Sequence, residues 1–208
     1  MHAVDEETAA LAGVIGARVR QERLSRTWTL DHLADAAGVS RRMVVNVEQG
    51  VTNPSVGTLL RLSDALGIGL PALVEPPRPA ALRVTRDGEG VALWTSDAGG
   101  RGLLVAGTGP PDVVELWDWT LGPGDRHASD AHSTGTKELI QVRDGTVTVG
   151  VAGDSVVLRP GDALAFAGTV PHSYANPGAA PARFSLAVFQ PGVGTDPGST
   201  HREEHRHG

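Results

Sequence analysis

The chain has 208 residues and no cysteine, which excludes a disulfide framework and a thiolate metal site. It has no run of 18 apolar residues, and its first twelve residues lack a basic start followed by an apolar core, so a soluble, cytoplasmic protein with no membrane partner is expected. The net charge of −6 excludes a surface that coats nucleic acid everywhere, yet six arginines between Arg18 and Arg42 meet only Glu22, Asp31 and Asp35, a local balance of +3.

In chain order, Leu11, Ile15 and Val19 mark one stripe of a first helix. Thr29 is an N-cap candidate for a second helix, in which Leu30, Leu33, Ala34 and Ala37 recur at helical spacing. Gly38 suits the positive φ of a tight turn between helices, with Val39 as its plug. Ser40 caps a third helix whose first turn exposes Arg41 and Arg42, while Val44 and Val47 face inward and Asn46 outward. Polar and cationic groups at the start of a helix after such a turn are what base-edge and phosphate readout requires. Asn53-Pro54-Ser55 opens a fourth helix carrying Leu59, Leu60, Leu62, Ala65 and Leu66, with Gly67 at its end. A turn at residues 70–73 closes the bundle. A helical domain is therefore expected over residues 11–74, followed by a proline-rich linker, EPPRPAA, at 75–81.

Over residues 82–190 the pattern changes to short apolar runs broken by Gly, Pro and Asp, as in a small antiparallel barrel or sandwich. Asp144-Gly145 predicts a two-residue hairpin between Glu138–Val142 and Thr146–Val151, and Gly153-Asp154 and Pro160-Gly161-Asp162 predict further turns. Strand parity places Glu138 on the face of Ile140 and Val142, where an ionised carboxylate is costly unless paired, hydrogen-bonded or bound to a cation. Trp117, Trp119 and Leu121 share one face and read as core or interface rather than pocket lining. Tyr174 shares a face with His172, and His127 reads as an exposed loop histidine. Residues 191–208, with His201, His205 and His207, read as a flexible tail.

IGARVRQER, the Leu30, Leu33 and Ala34 spacing, GVS, VxxVEQG, NPS and TLLRLSDALGI together resemble the phage-repressor-type (XRE) helix-turn-helix family over residues 15–70. The resemblance implies a five-helix, lambda-repressor-like bundle. It places Arg41 and Arg42 on bases, Asn46 on a base or phosphate, and Thr29, Ser40 and Asn53–Ser55 at the phosphate backbone. Val45 stands where relatives carry a polar contact residue and is expected against a thymine methyl. Arg23 and Glu48 match a structural ion pair of that family. The second segment resembles a cupin, an all-β double-stranded β-helix barrel. Its first motif is Gly122-Pro123-Gly124, Asp130, His132, Glu138 and Gly145, and its second is Pro160-Gly161-Asp162, His172 and Asn176.

The cupin resemblance implies a metal site of His132, Glu138 and His172, with Asp130 replacing the first histidine and a His132–Glu138 gap one or two residues longer than usual. Two readings stay open: one divalent ion (zinc, manganese, iron or nickel), or a metal-free pocket in which Asp130, His132, Glu138, His172 and Tyr174 bond one another or an effector. The whole reads as an α+β two-domain transcription regulator: a homodimer that binds double-stranded operator DNA and senses a small molecule or metal in its cupin. The alternatives are a metal-dependent enzyme tethered to DNA, and a ligand-free DNA-binding scaffold.

Overall fold

The computed structural model describes residues 2–74 and 82–195. The expected linker at 75–81 and the tail histidines lie outside the described residues. Five helices come first: α1 (His2–Ser25), α2 (Leu30–Ala37), α3 (Arg41–Glu48), α4 (Val56–Leu66) and α5 (Gly69–Val74). The helix starts follow from side-chain caps. Thr29 accepts from the His32 amide at 3.1 Å, Ser40 from Met43 at 3.1 Å, and Ser55 from Thr58 at 3.2 Å. Gly38 ends α2 in the left-handed region at φ 61° and lets Val39 donate back to Ala34. The first helix begins nine residues earlier than its apolar stripe, because residues 2–10 are rich in Ala and Glu, which favour helix without needing burial.

The bundle core is Ile15, Val19, Leu33, Val44, Val47, Leu59, Leu62 and Leu66, each at most 2% exposed. Gly16 lets α1 and α3 touch: a Cβ there would lie 2.2 Å from the Val47 carbonyl.

Ten strands follow among the described residues: β1 (Val91–Thr95), β2 (Arg101–Gly107), β3 (Val113–Leu121), β4 (Arg126–Ser129), β5 (Lys137–Asp144), β6 (Val147–Val151), β7 (Asp154–Leu158), β8 (Ala163–Ala167), β9 (His172–Ala175) and β10 (Ala182–Gln190). They form two facing antiparallel sheets, ordered β1-β2-β3-β10-β5-β8 and β4-β9-β6-β7. Alternate residues of β3, β5 and β10 point inward, so Trp117, Trp119, Leu121, Ile140, Val142, Phe184 and Leu186 fill the barrel. The expected hairpin at Asp144-Gly145 does not form. β5 pairs with β10 and β8, whereas β6 pairs with β7 and β9. The turn chemistry is that of a sharp bend, but the bend is a corner at which the chain changes sheets. Pro160-Gly161-Asp162 is a second such corner, and Gly153-Asp154 belongs to the true hairpin between β6 and β7.

Bundle and barrel pack directly. Gly69 lies against Val113, Pro71 against Gly107, and the backbones of Gly67 and Gly194 meet with no room for a side chain. Residues 191–195 therefore depart from the tail expectation. Val193 is 6% exposed and donates its amide to Pro111 at 2.8 Å, seating the chain against the barrel base.

Candidate functional site

Two surfaces carry polar chemistry. On the bundle, Thr29, Ser40, Arg41, Arg42, Asn53 and Ser55 are all exposed, and Val45 and Asn46 are half-buried. Arg41 Nε lies 3.1 Å from Asp31 of α2, an exposed pair that solvent screens heavily. Beneath them, Arg23 grips Glu48 with two parallel bonds, Nε–Oε1 at 2.6 Å and Nη2–Oε2 at 2.8 Å. Its remaining nitrogen donates to the Trp28 carbonyl at 2.8 Å. One guanidinium thus joins the end of α1, the turn before α2 and the end of α3.

In the barrel, β5 supplies Glu138, β9 supplies His172 and Tyr174, and the loop between β4 and β5 supplies His132. The Nε2 atoms of His132 and His172 lie 3.0 and 3.2 Å from the same Glu138 oxygen, Oε1. The Tyr174 hydroxyl donates to Oε2. Burial alone would raise the Glu138 pKa, but the bonds from His132, His172 and Tyr174 outweigh it and hold the carboxyl down at about 2. Burial also disfavours the charged form of His172, yet the Glu138 bond and charge win and raise its pKa. The Tyr174 hydroxyl is pushed up by burial and by the adjacent Glu138 charge.

One ligand atom from each of His132, Glu138 and His172 lies within 4.8 Å of the others. His172 Nδ1 faces the Val170 carbonyl at 2.9 Å, so its hydrogen sits there and Nε2 presents a lone pair to Glu138 unless the ring is cationic. Two lone pairs at 3.2 Å need a proton or a metal ion between them. An outer hydrogen bond on each of His172 and Glu138 is also how metal ligands are oriented, so the three residues fit a two-histidine, one-carboxylate centre.

Asp130 does not join this cluster. Its side chain is 85% exposed and pairs with Arg61 of α4 at 3.4 Å, because strand parity beyond Ser129 turns it outward. The inward residue of β4 is His127, which is not a loop residue. Its ring lies 4.7 Å from Trp119 and 5.5 Å from Trp94, and burial, then the charge on His172, lowers its pKa to about 4, leaving it neutral. Sequence reasoning passes over Glu115, the inward neighbour of Trp117, although the parity that places Trp117 also places it. Glu115 is 1% exposed; Trp117 Nε1 donates to Oε2 at 2.9 Å, and Oε1 has no partner among the described residues. Burial raises its pKa to about 8 against the opposing Trp117 bond.

The helix-turn-helix family matches residues 19–73, and the cupin domain family matches residues 117–189. The HTH-type transcriptional regulator SutR of Escherichia coli (strain K12) is 27% identical over 181 residues, covering 87% of this chain and 97% of the relative. The chain thus carries a helix-turn-helix domain followed by a cupin domain and is similar over most of its length to an HTH-type transcriptional regulator. A helix-turn-helix transcriptional regulator from Vibrio cholerae shares the fold, with a TM-score of 0.68 at 23% identity over 88% of this chain and 99% of that one. The cupin domain of an XRE-family regulator from Enterobacter cloacae is 28% identical over 38% of this chain and 82% of its own, at a TM-score of 0.37. No helix among the described residues is long and apolar enough to cross a membrane.

Proposed function

We propose that this regulator binds operator DNA as a homodimer and that its cupin senses a metal ion or small molecule rather than catalysing a reaction. The observation that carries the DNA reading is the first turn of α3, where Arg41 and Arg42 stand exposed on a helix braced by Arg23 and Glu48. Arg41 and Arg42 read base edges in the major groove, with Asn46 and Val45 further along the same helix. Thr29, Ser40, Asn53 and Ser55 hold the backbone with the amide-rich starts of α2, α3 and α4. Two such helices on a two-fold dimer would lie about 34 Å apart, one turn of DNA.

The dimer reading rests on the outer face of the larger sheet. Leu116, Ala187, Leu139 and Ala165 form one cross-strand row, and Val114, Leu116 and Leu139 are 39%, 44% and 52% exposed. Such a face suits a second copy of the same apolar surface. In the barrel, His132, Glu138 and His172 would hold the ion, which would supply open coordination positions to an oxygen or nitrogen of an effector; Tyr174 orients Glu138.

Replacing Arg42 by Ala should weaken specific DNA binding by about 10- to 100-fold, the worth of one bidentate base contact, with little loss on random DNA. Equal losses on both would reduce Arg42 to a phosphate contact. Leu139→Glu should give monomers in sedimentation, and an unchanged dimer would move the interface elsewhere. Stoichiometric zinc, manganese, iron or nickel in the purified protein would support the sensor centre, and catalytic turnover with it would favour the enzyme reading.

A further inference from the structure

Along α4, Gly57, Arg61 and Asp64 recur at i, i+4 and i+7 and form the stripe facing the barrel. The helix is held unevenly along this stripe. Its start, Asn53–Gly57, borders an open cleft of about 740 Å³ whose far wall includes Arg126, Ala128 and Ser173. Its second half is tied down. Arg61 pairs with Asp130 at 3.4 Å. Asp64 lines the same small cleft as Ser133 and accepts at 3.4 Å from Gln190 Nε2 of β10.

Asp130 and Ser133 belong to one loop, residues 130–136, and that loop also carries His132. It therefore meets α4 twice and the Glu138 cluster once. Its geometry leaves little slack: His132 donates its amide to the Gly168 carbonyl at 2.9 Å, and Gly168 donates to the Thr136 carbonyl at 3.0 Å. Ser133 and Thr136 hydroxyls lie 3.3 Å apart. Asp64 is half-buried in the seam, and that burial raises its pKa. The cluster and the start of α4 are thus joined through one loop and one helix, which meet at Arg61–Asp130 and at the cleft shared by Asp64 and Ser133.

We propose that the 130–136 loop and α4 are the element that couples the barrel to DNA, with Asp64 and Ser133 as positioning residues between His132 and the Asn53–Ser55 turn. The proposal rests on the reading of the His132–Glu138–His172 cluster as the sensing site. What changes at His132, whether a bound ion or loss of the side chain, shifts the loop. Asp64 and Arg61 follow, and the start of α4 moves into or out of the cleft that borders it. A contact network of this kind needs no change within α2 or α3, so the base-reading surface is left intact while the backbone grip is altered.

The experiment is a double-mutant cycle on the full chain, read as affinity for a duplex recovered from a random-sequence library. His132→Ala should change that affinity by about fivefold in the parent and leave it unchanged in the Asp64→Asn background. Ser133→Ala, which removes the hydroxyl without touching a charge, should silence the effect in the same way and serves if Asp64→Asn does not fold. Amide exchange across residues 56–66 should report the same pattern without DNA. The same fold-change in all backgrounds, or no effect of His132→Ala in the parent, overturns the coupling. Calorimetry with Zn(II) is read separately: absence of binding would end the metal reading of the cluster while the cycle still decides the coupling.

Discussion

Glu115 and Glu138 sit in one cross-strand row of the same sheet, separated by Val188, and each is 1% exposed. They behave as opposite acids. Glu138 collects three donors and stays anionic down to about pH 2, whereas Glu115 has one indole donor and holds its proton up to about pH 8. The difference shows that depth alone does not set the charge of a buried carboxyl; the number of donors aimed at it does. Glu48 in the bundle extends the series, since its charge is balanced by a full guanidinium rather than by imidazoles.

The series can be broken most severely at its ionic end. Arg23→Met should cost about 3–5 kcal/mol, because it leaves Glu48 charged and uncompensated; urea unfolding measures it, and a loss below about 1 kcal/mol would mean that water replaces the guanidinium. The next largest effect is expected at Glu138. Its pKa is depressed, so its contribution is full above pH 4.5 and is lost as pH falls toward 2. Glu138→Gln should remove on the order of 2–3 kcal/mol at neutral pH and flatten the acid limb of stability against pH. A variant whose acid limb is unchanged would place that titration elsewhere.

Glu115 should give the smallest effect and one of opposite sign. Its pKa is raised, so folding carries no penalty below pH 4.5 and a growing one as pH rises toward 8. Glu115→Gln copies the protonated form and should stabilise by on the order of 1–3 kcal/mol at pH 8 and by nothing at pH 4, read as thermal midpoints at the two pH values. Destabilisation at pH 8 would show that the wild-type carboxylate finds a partner there.

Much of this was legible in the chain because it is local. Helix caps at Thr29, Ser40 and Ser55 involve atoms three residues apart, and the φ of Gly38 is a property of one residue. Strand parity was enough to put Glu138, Trp117 and Trp119 inside, and it also encodes Glu115. The expected face was wrong at the end of β4, where His127 points inward and Asp130, an odd three positions further along, points outward. The Asp144-Gly145 bend was readable but its strand partners were not, since a turn specifies direction and not which sheet receives the next strand. The Asp64–Gln190 contact spans 126 positions and exists only because bundle and barrel dock. No periodicity announces it.

The guanidinium that ties three chain segments together under α3 has an energetic corollary for the DNA association proposed above. Because α3 is locked in place before any duplex arrives, little chain ordering accompanies complex formation on this side of the interface. The heat-capacity change on binding should therefore track the apolar surface covered, without the surplus that marks folding on contact.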